Sequence, residues 1–189
     1  MNINTMHTRF NLRSLKNIEL NIANKTLKKS AVLVPLIIRN DNLHIILTKR
    51  CDHLRHHPGQ ISFPGGKFDK EDLTLLHTAL RETHEELNID LKYINVIGDF
   101  PVHHTVSGFS IKPFIALVSE STDMIANSDE VSEIIELPLA QFINNEHHFY
   151  MPISRQNIKM DVYFKPTNDY LIWGATASII EQLRLLLTD

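Results

Sequence analysis

The stretch FPGGKFDKEDLTLLHTALRETHEEL, Phe63 to Leu87, sets a glycine pair ahead of a helical pattern that ends in Arg81, Glu82, Glu85 and Glu86. Glu82 and Glu86 are four residues apart, and like charges at that spacing cost a helix about 0.2–0.5 kcal/mol. They also stand in the last turns, where the helix dipole disfavours anions. A solvated acidic face is one account of such a cluster. The neighbourhood points to another. Carboxylates so spaced can converge on a hard divalent cation, and Mg²⁺ takes oxygen ligands while keeping waters and substrate phosphates in its shell. Arg81 can then orient Glu82 from the side, and Gly65-Gly66 lets the backbone bend tightly and approach the acidic end of the helix.

Other motifs are excluded by single positions. Phe68 follows Gly66-Lys67 and Ile61 stands where a first glycine would be, so there is no phosphate-cradling G-x-x-x-x-G-K-[ST] loop. His84-Glu85 is followed by Glu86-Leu87-Asn88, so the second histidine of a zinc-protease helix is missing. Two carboxylates alone are a very weak glycosidase signal.

These residues need a scaffold. The chain has 189 residues, 43% hydrophobic and 22% charged, which suits one domain with a sizeable core. A formal charge of -3 marks no nucleic-acid or membrane binder. The single cysteine, Cys51, excludes an internal disulfide and points to a reducing, cytoplasmic setting. Met1 to Lys16 has no continuous apolar run and reads as neither secretory signal nor membrane span.

Arg9 to Lys29 carries Leu12, Leu15, Ile18, Leu20 and Ile22 among basic residues and reads as one or two helical pieces, making residues 1–30 an N-terminal extension of the domain over 31–189. Ala31–Ile38 and Leu43–Thr48 read as strands joined by a tight turn at Asn40-Asp41-Asn42. Arg50–Gln60 is a long loop, and Ile61–Phe63 a short strand. Asp72 is the expected cap of a helix to about Leu87, stopped by Asn88, with Leu73, Leu76, Leu80 and Leu87 on its core side and the three glutamates opposite. Strands are expected at Tyr93–Phe100, Val102–Val106, Ile111–Val118, Val131–Leu137 and Ile158–Phe164. A short helix is expected from Pro138 to Ile143 and a last one from Trp173 to Leu187, with Trp173 anchoring it in the core and Gly174 allowing close packing. Strands around one central and one terminal helix make a mixed α/β (α+β) pattern, too irregular for a doubly wound sheet.

The acidic segment resembles the signature of the Nudix hydrolases, G-x5-E-x7-R-E-U-x-E-E-x-G-U with U aliphatic. It reads Gly66, Asp72 and Arg81-Glu82-Thr83-His84-Glu85-Glu86-Leu87-Asn88-Ile89. Asp72 replaces the first Glu, eight residues rather than seven precede Arg81, Thr83 replaces an aliphatic and Asn88 replaces Gly. The extra residue is similar to the coenzyme A pyrophosphatase branch, as is the upstream run Leu47-Thr48-Lys49-Arg50-Cys51, Arg55, Gly59 and Phe63-Pro64-Gly65-Gly66, from whose pattern only Ile46 and Cys51 differ, both conservatively. Further matches lie at Ser107-Gly108-Phe109, Asp129-Glu130-Val131, Leu137-Pro138-Leu139 and Ile172-Trp173-Gly174-Ala175-Thr176-Ala177.

The resemblance implies the Nudix fold, a mixed β-sheet sandwiched between helices, and metal-dependent hydrolysis of the diphosphate of coenzyme A. It implies Glu82, Glu85 and Glu86 as ligands of Mg²⁺ or Mn²⁺, Glu85 as ligand or support, and Arg81 as the salt-bridge partner of Glu82. Glu130 is the candidate for a further ligand or general base, a solvated loop acid being its other reading. Lys49, Arg50, Arg55, Gly65, Gly66 and Lys67 are expected at the substrate, though each basic residue alone would serve equally as surface. A small-molecule partner follows, with no nucleic acid or membrane and a homodimer as one option. Another nucleoside diphosphate derivative such as ADP-ribose, or a non-catalytic nucleotide-binding module, is the alternative.

Overall fold

The computed structural model of the protein describes residues 27–143, 148–155 and 158–188. Its centre is β1 (Lys28–Arg39), whose run SAVLVPLII is apolar on both faces, the pattern of a strand covered on both sides. β1 turns into β2 (Asn42–Arg50) through Asn40 and Asp41, both at positive φ, as the two-residue hairpin turn requires. β3 (Ile61–Ser62) pairs with the end of β2, and β4 (Gly65–Lys67) with the start of β1. β5 (Ile94–Asp99), β6 (His103–His104) and β7 (Phe109–Val118) follow, and β7 lies parallel to β1. β8 (Val131–Pro138) closes the other edge of β2, giving an eight-stranded mixed sheet.

α1 (Leu75–Leu87) covers one face, where Ala79 packs with Ala31, Leu33 and Ala116. The short α2 (Ala140–Ile143) and the terminal α3 (Gly174–Thr188) cover the other, setting Ile179, Ile180, Leu183 and Leu186 against Val34, Leu36, Ile45 and Leu47. This is the expected sheet between helices. A second, three-stranded sheet, β9 (Phe149–Arg155), β10 (Ile158–Pro166) and β11 (Leu171–Trp173), packs on α3.

Several expectations are corrected. β1 already begins at Lys28, so the helical reading of Arg9–Lys29 fails at its end, and its remainder to residue 26 lies outside the described residues. The strand expected over Val102–Val106 shrinks to His103–His104, and Pro138 ends β8 instead of opening α2. β4, β9 and β11 have no counterpart among the strands expected from the sequence. Trp173 is not in the core: it ends β11, half-exposed, and α3 starts after it at Gly174, whose φ of +69° turns the chain while a Cβ there would meet nothing.

Candidate active site

The cap of α1 is Thr74, not Asp72. Thr74 has extended backbone and its side chain accepts the N–H of His77 at 3.1 Å, so Leu73 lies outside the helix and is 88% exposed. Asn88 ends the helix in the left-handed region and donates its N–H to His84 O. The buried side of the helix comprises Thr78, Ala79, Thr83, Glu86 and Leu87. Glu86 therefore faces inward, 3% exposed, and the three glutamates do not share one solvated face.

Asp72, freed from capping, is buried and accepts four donors: Asp69 N–H and Thr78 Oγ1, both at 2.9 Å, with Arg81 Nε at 3.0 Å and Nη2 at 3.1 Å. The Arg81 bonds hold its carboxyl well below the usual carboxylate range and in turn hold the guanidinium above its own. From that anchor Arg81 reaches Glu82 Oε1 at 3.0 Å and Glu85 Oε2 at 2.8 Å. Glu85 is half-exposed.

Gly66 lies against Glu82, and a Cβ there would collide with the carboxylate; at Gly65, φ +156°, one would collide with the β1 backbone. The glycine pair thus brings the β4 backbone into contact with the helix, and the Gly65 N–H pulls weakly against the rise in Glu86. Thr48 Oγ1 stands 3.5 Å from Glu86 Oε2. Burial pushes Glu86 up to about 8, the charges of Glu82 and Glu130 add to it, and Arg50 opposes them. Glu82 is also raised, chiefly by burial, with Arg81 pulling the other way.

Glu130 arrives by backbone bonding that no spacing in the sequence announces. The last carbonyls of α1 lack helical partners; here Asn127 N–H bonds Glu86 O and Ile125 N–H bonds Leu87 O, each at 3.0 Å. Glu130 N–H returns to Asn127 O at 3.0 Å, and Cys51 N–H bonds Glu130 O at 2.9 Å. Cys51 Sγ, buried, contacts Ser128 O at 3.4 Å. Three segments are laced together, and Arg50 and Glu130 come within electrostatic reach of Glu86.

The structure thus gathers Arg50, Gly65, Gly66, Arg81, Glu82, Glu85, Glu86 and Glu130. Lys49 is half-buried in β2 opposite Glu133 of β8. Lys67 offers its carbonyl to Arg81 Nη2 at 3.4 Å while its ammonium lies 6.0 Å above the Phe109 ring. Arg55 stands exposed on the outer loop, as do His53, His56 and His57.

The donor set fits a hard divalent cation: the carboxylates of Glu82, Glu86 and Glu130 repel one another in a partly desolvated place, and a cation would relieve all three. Among the described residues no three His, Cys, Asp or Glu side chains form a closed metal cluster. An ion held by one or two carboxylates plus substrate phosphate requires none. Among the described residues no helix is long and apolar enough to cross a membrane.

The family model for the NUDIX domain matches residues 28–156. A protein of Yersinia pestis (strain Pestoides F) named "Uncharacterized Nudix hydrolase NudL" is 37% identical over 158 residues, 84% of this chain and 79% of its own length. The fold is similar to the NUDIX domain of Shewanella oneidensis NrtR solved with ADP ribose, with a TM-score of 0.56 at 19% identity over 88% of this chain and 92% of that one. It is also similar to a MutT/nudix family protein from Enterococcus faecalis, with a TM-score of 0.54 at 16% identity over 99% of this chain and 70% of that one.

Proposed function

The chain belongs to the NUDIX family, as a hydrolase of pyrophosphate bonds, and we propose that it cleaves the diphosphate linkage of coenzyme A or its derivatives to 3′,5′-adenosine bisphosphate and 4′-phosphopantetheine. The observation that carries hydrolysis is the buried Glu86 beside Glu82 and Glu130, an arrangement that costs stability without a cation. What supports coenzyme A is the run Leu47 to Gly66, since three of its members, Arg50, Gly65 and Gly66, stand at those carboxylates.

Glu82 and Glu86 would hold the ion, Mg²⁺ or Mn²⁺ in this reading, with Glu85 supporting from the Arg81 side. Once bound, such an ion neutralises charge on phosphoryl oxygens and lowers the pKa of a coordinated water. Arg81, fixed by Asp72, keeps Glu82 oriented. Glu130, whose charge reaches both carboxylates, would take the proton of the attacking water or complete the ligand set. Arg50 supplies positive charge beside Glu86, and its planar fork suits a phosphate. Lys49, Arg55 and Lys67 would add positive charge for an anionic substrate, against the net negative charge of the chain. The reducing setting implied by the lone cysteine supports work in the cytoplasm.

The test is incubation of the purified protein with coenzyme A and Mg²⁺ or Mn²⁺, with Glu86→Gln as control, ADP-ribose as comparison and mass identification of products. Both coenzyme A fragments from wild type alone support the reading. Cleavage of ADP-ribose with coenzyme A intact would move the chain to the second reading, which the ADP-ribose bound in the NrtR domain keeps in play. Tight nucleotide binding without turnover, indifferent to metal, would make it a binding module.

A further inference from the structure

The outer face of the three-stranded sheet is apolar at every position whose side chain is described. The register pairs Phe149 with Phe164 and Phe164 with Trp173, Met151 with Val162, Ile153 with Met160, and Pro166 with Leu171. Strand alternation puts these nine on one side. Lys165 and Ile172, which alternate with them, are fully buried, and Lys165 Nζ bonds Glu181 Oε2 of α3 at 2.7 Å, so the nine look outward. Phe149, Met151, Leu171 and Trp173 are 49, 52, 53 and 47% exposed, and Phe149 stacks on Phe164 at 5.0 Å.

A sheet with one wet face ordinarily turns its polar side to water. Here Lys165 and Ile172 are buried toward α3, Tyr150, Pro152 and Asp161 further along that same side are exposed, and Phe149, Phe164 and Trp173 stand on the other, apolar side. At about 150–250 Å² per large side chain, the open halves of the four most exposed residues come to roughly 300–500 Å², and the five partly shielded neighbours add to it. Patches of that size on soluble proteins are commonly functional.

We propose that this face is the contact of a homodimer, packing on the same face of a second copy about a two-fold axis. Two such faces would bury about 1,000 Å², the area at which specific interfaces begin, and aligned sheets stack about 10 Å apart on interdigitating side chains. An isologous contact is the commonest closure for homo-oligomers, and a face of apolar side chains can pack on its own copy. The contact would also brace the candidate site, since Tyr170, between β10 and β11, donates a hydrogen bond to Glu133 of β8, three residues after Glu130.

The test is sedimentation equilibrium of the full chain over a wide concentration range, read together with the fluorescence of Trp173, the only tryptophan. Wild type should dimerise with a blue shift in Trp173 emission as the dimer fills. Met151→Lys and the milder Leu171→Ser should weaken association at least 100-fold and about 10-fold, with far-UV circular dichroism unchanged. A wild-type monomer at all concentrations overturns the proposal, including one whose Trp173 emission is already blue-shifted, because the chain would then cover its own face. So does a dimer that survives both substitutions in folded protein.

Discussion

Arg81 grips Asp72 with two nitrogens, Nε at 3.0 Å and Nη2 at 3.1 Å, across a span of nine residues in the chain. The pair fixes the guanidinium before it reaches Glu82 and Glu85, so a residue outside α1 sets the orientation of carboxylates within it. Asp72→Asn should lower kcat about 10- to 100-fold, the usual cost of losing a partner that orients ligands, and destabilise the fold by about 1–3 kcal/mol. Steady-state kinetics and urea melts would show both. Because the folded state holds Asp72 below its ordinary value of 3.8, its stabilisation is complete above that pH and is lost as pH falls through the lower, folded value. Wild type should therefore lose its advantage over Asp72→Asn only in strong acid.

Glu86→Gln should raise the melting temperature of metal-free protein near neutral pH while reducing turnover at least 1,000-fold, because it removes a carboxyl that burial beside Glu82 and Glu130 holds against ionisation, and with it a metal ligand. Scanning calorimetry with and without Mg²⁺ distinguishes these effects: added metal should stabilise wild type and leave Glu86→Gln unmoved.

Gly66→Ala places a methyl where the Glu82 carboxylate lies. Glu82 or the β4 backbone must shift, and a displacement near 1 Å at a reacting centre costs about 100-fold in rate. The variant should fold, with kcat falling far more than KM rises. Unchanged kcat would show that Glu82 does not need its position against β4.

Burial, with the charge of His104 second, holds His103 down at about 4 against an ordinary 6.5. Between those values the unfolded chain binds a proton that the folded chain refuses, so stability falls as pH drops through that window, by up to about 3 kcal/mol. Ser178 Oγ, 3.5 Å from Nδ1, is the polar group of α3 facing it. His103→Gln should flatten the melting temperature across this range, measured by thermal melts at closely spaced pH.

What was legible in the sequence was local. Asn40-Asp41 spelled a hairpin because both residues tolerate positive φ, and Asn88 stopped a helix for the same reason. The glycine pair and the acidic end of α1 stood at fixed spacing, so their meeting could be read before any coordinates. Asp72 misled because it resembles a cap in every local respect, and its true partner lies nine residues on; taking it as the cap drew exposed Leu73 into the helix. Periodicity sets Glu86 on the solvent side because it cannot tell a buried carboxylate from an exposed one. β9 was hidden by Pro152 and by polar neighbours, and Trp173 by the apolar run that continues from it into α3. The clasp of Ile125 and Asn127 on the end of α1 is made by backbone atoms, on which side-chain identity is silent.

The parallel pairing of β1 with β7 also constrains how the molecule comes to exist. Lys28 to Leu36 must wait for Phe109 to Leu117, about 80 residues later, before the middle of the sheet can close. Pairings of such separation are slow because the loop must be ordered before the contact rewards it. On the ribosome, where roughly 5–20 residues are added each second, the apolar strand at the centre of this protein is made before its parallel partner and spends several seconds without it, open to misfolding and to chaperones.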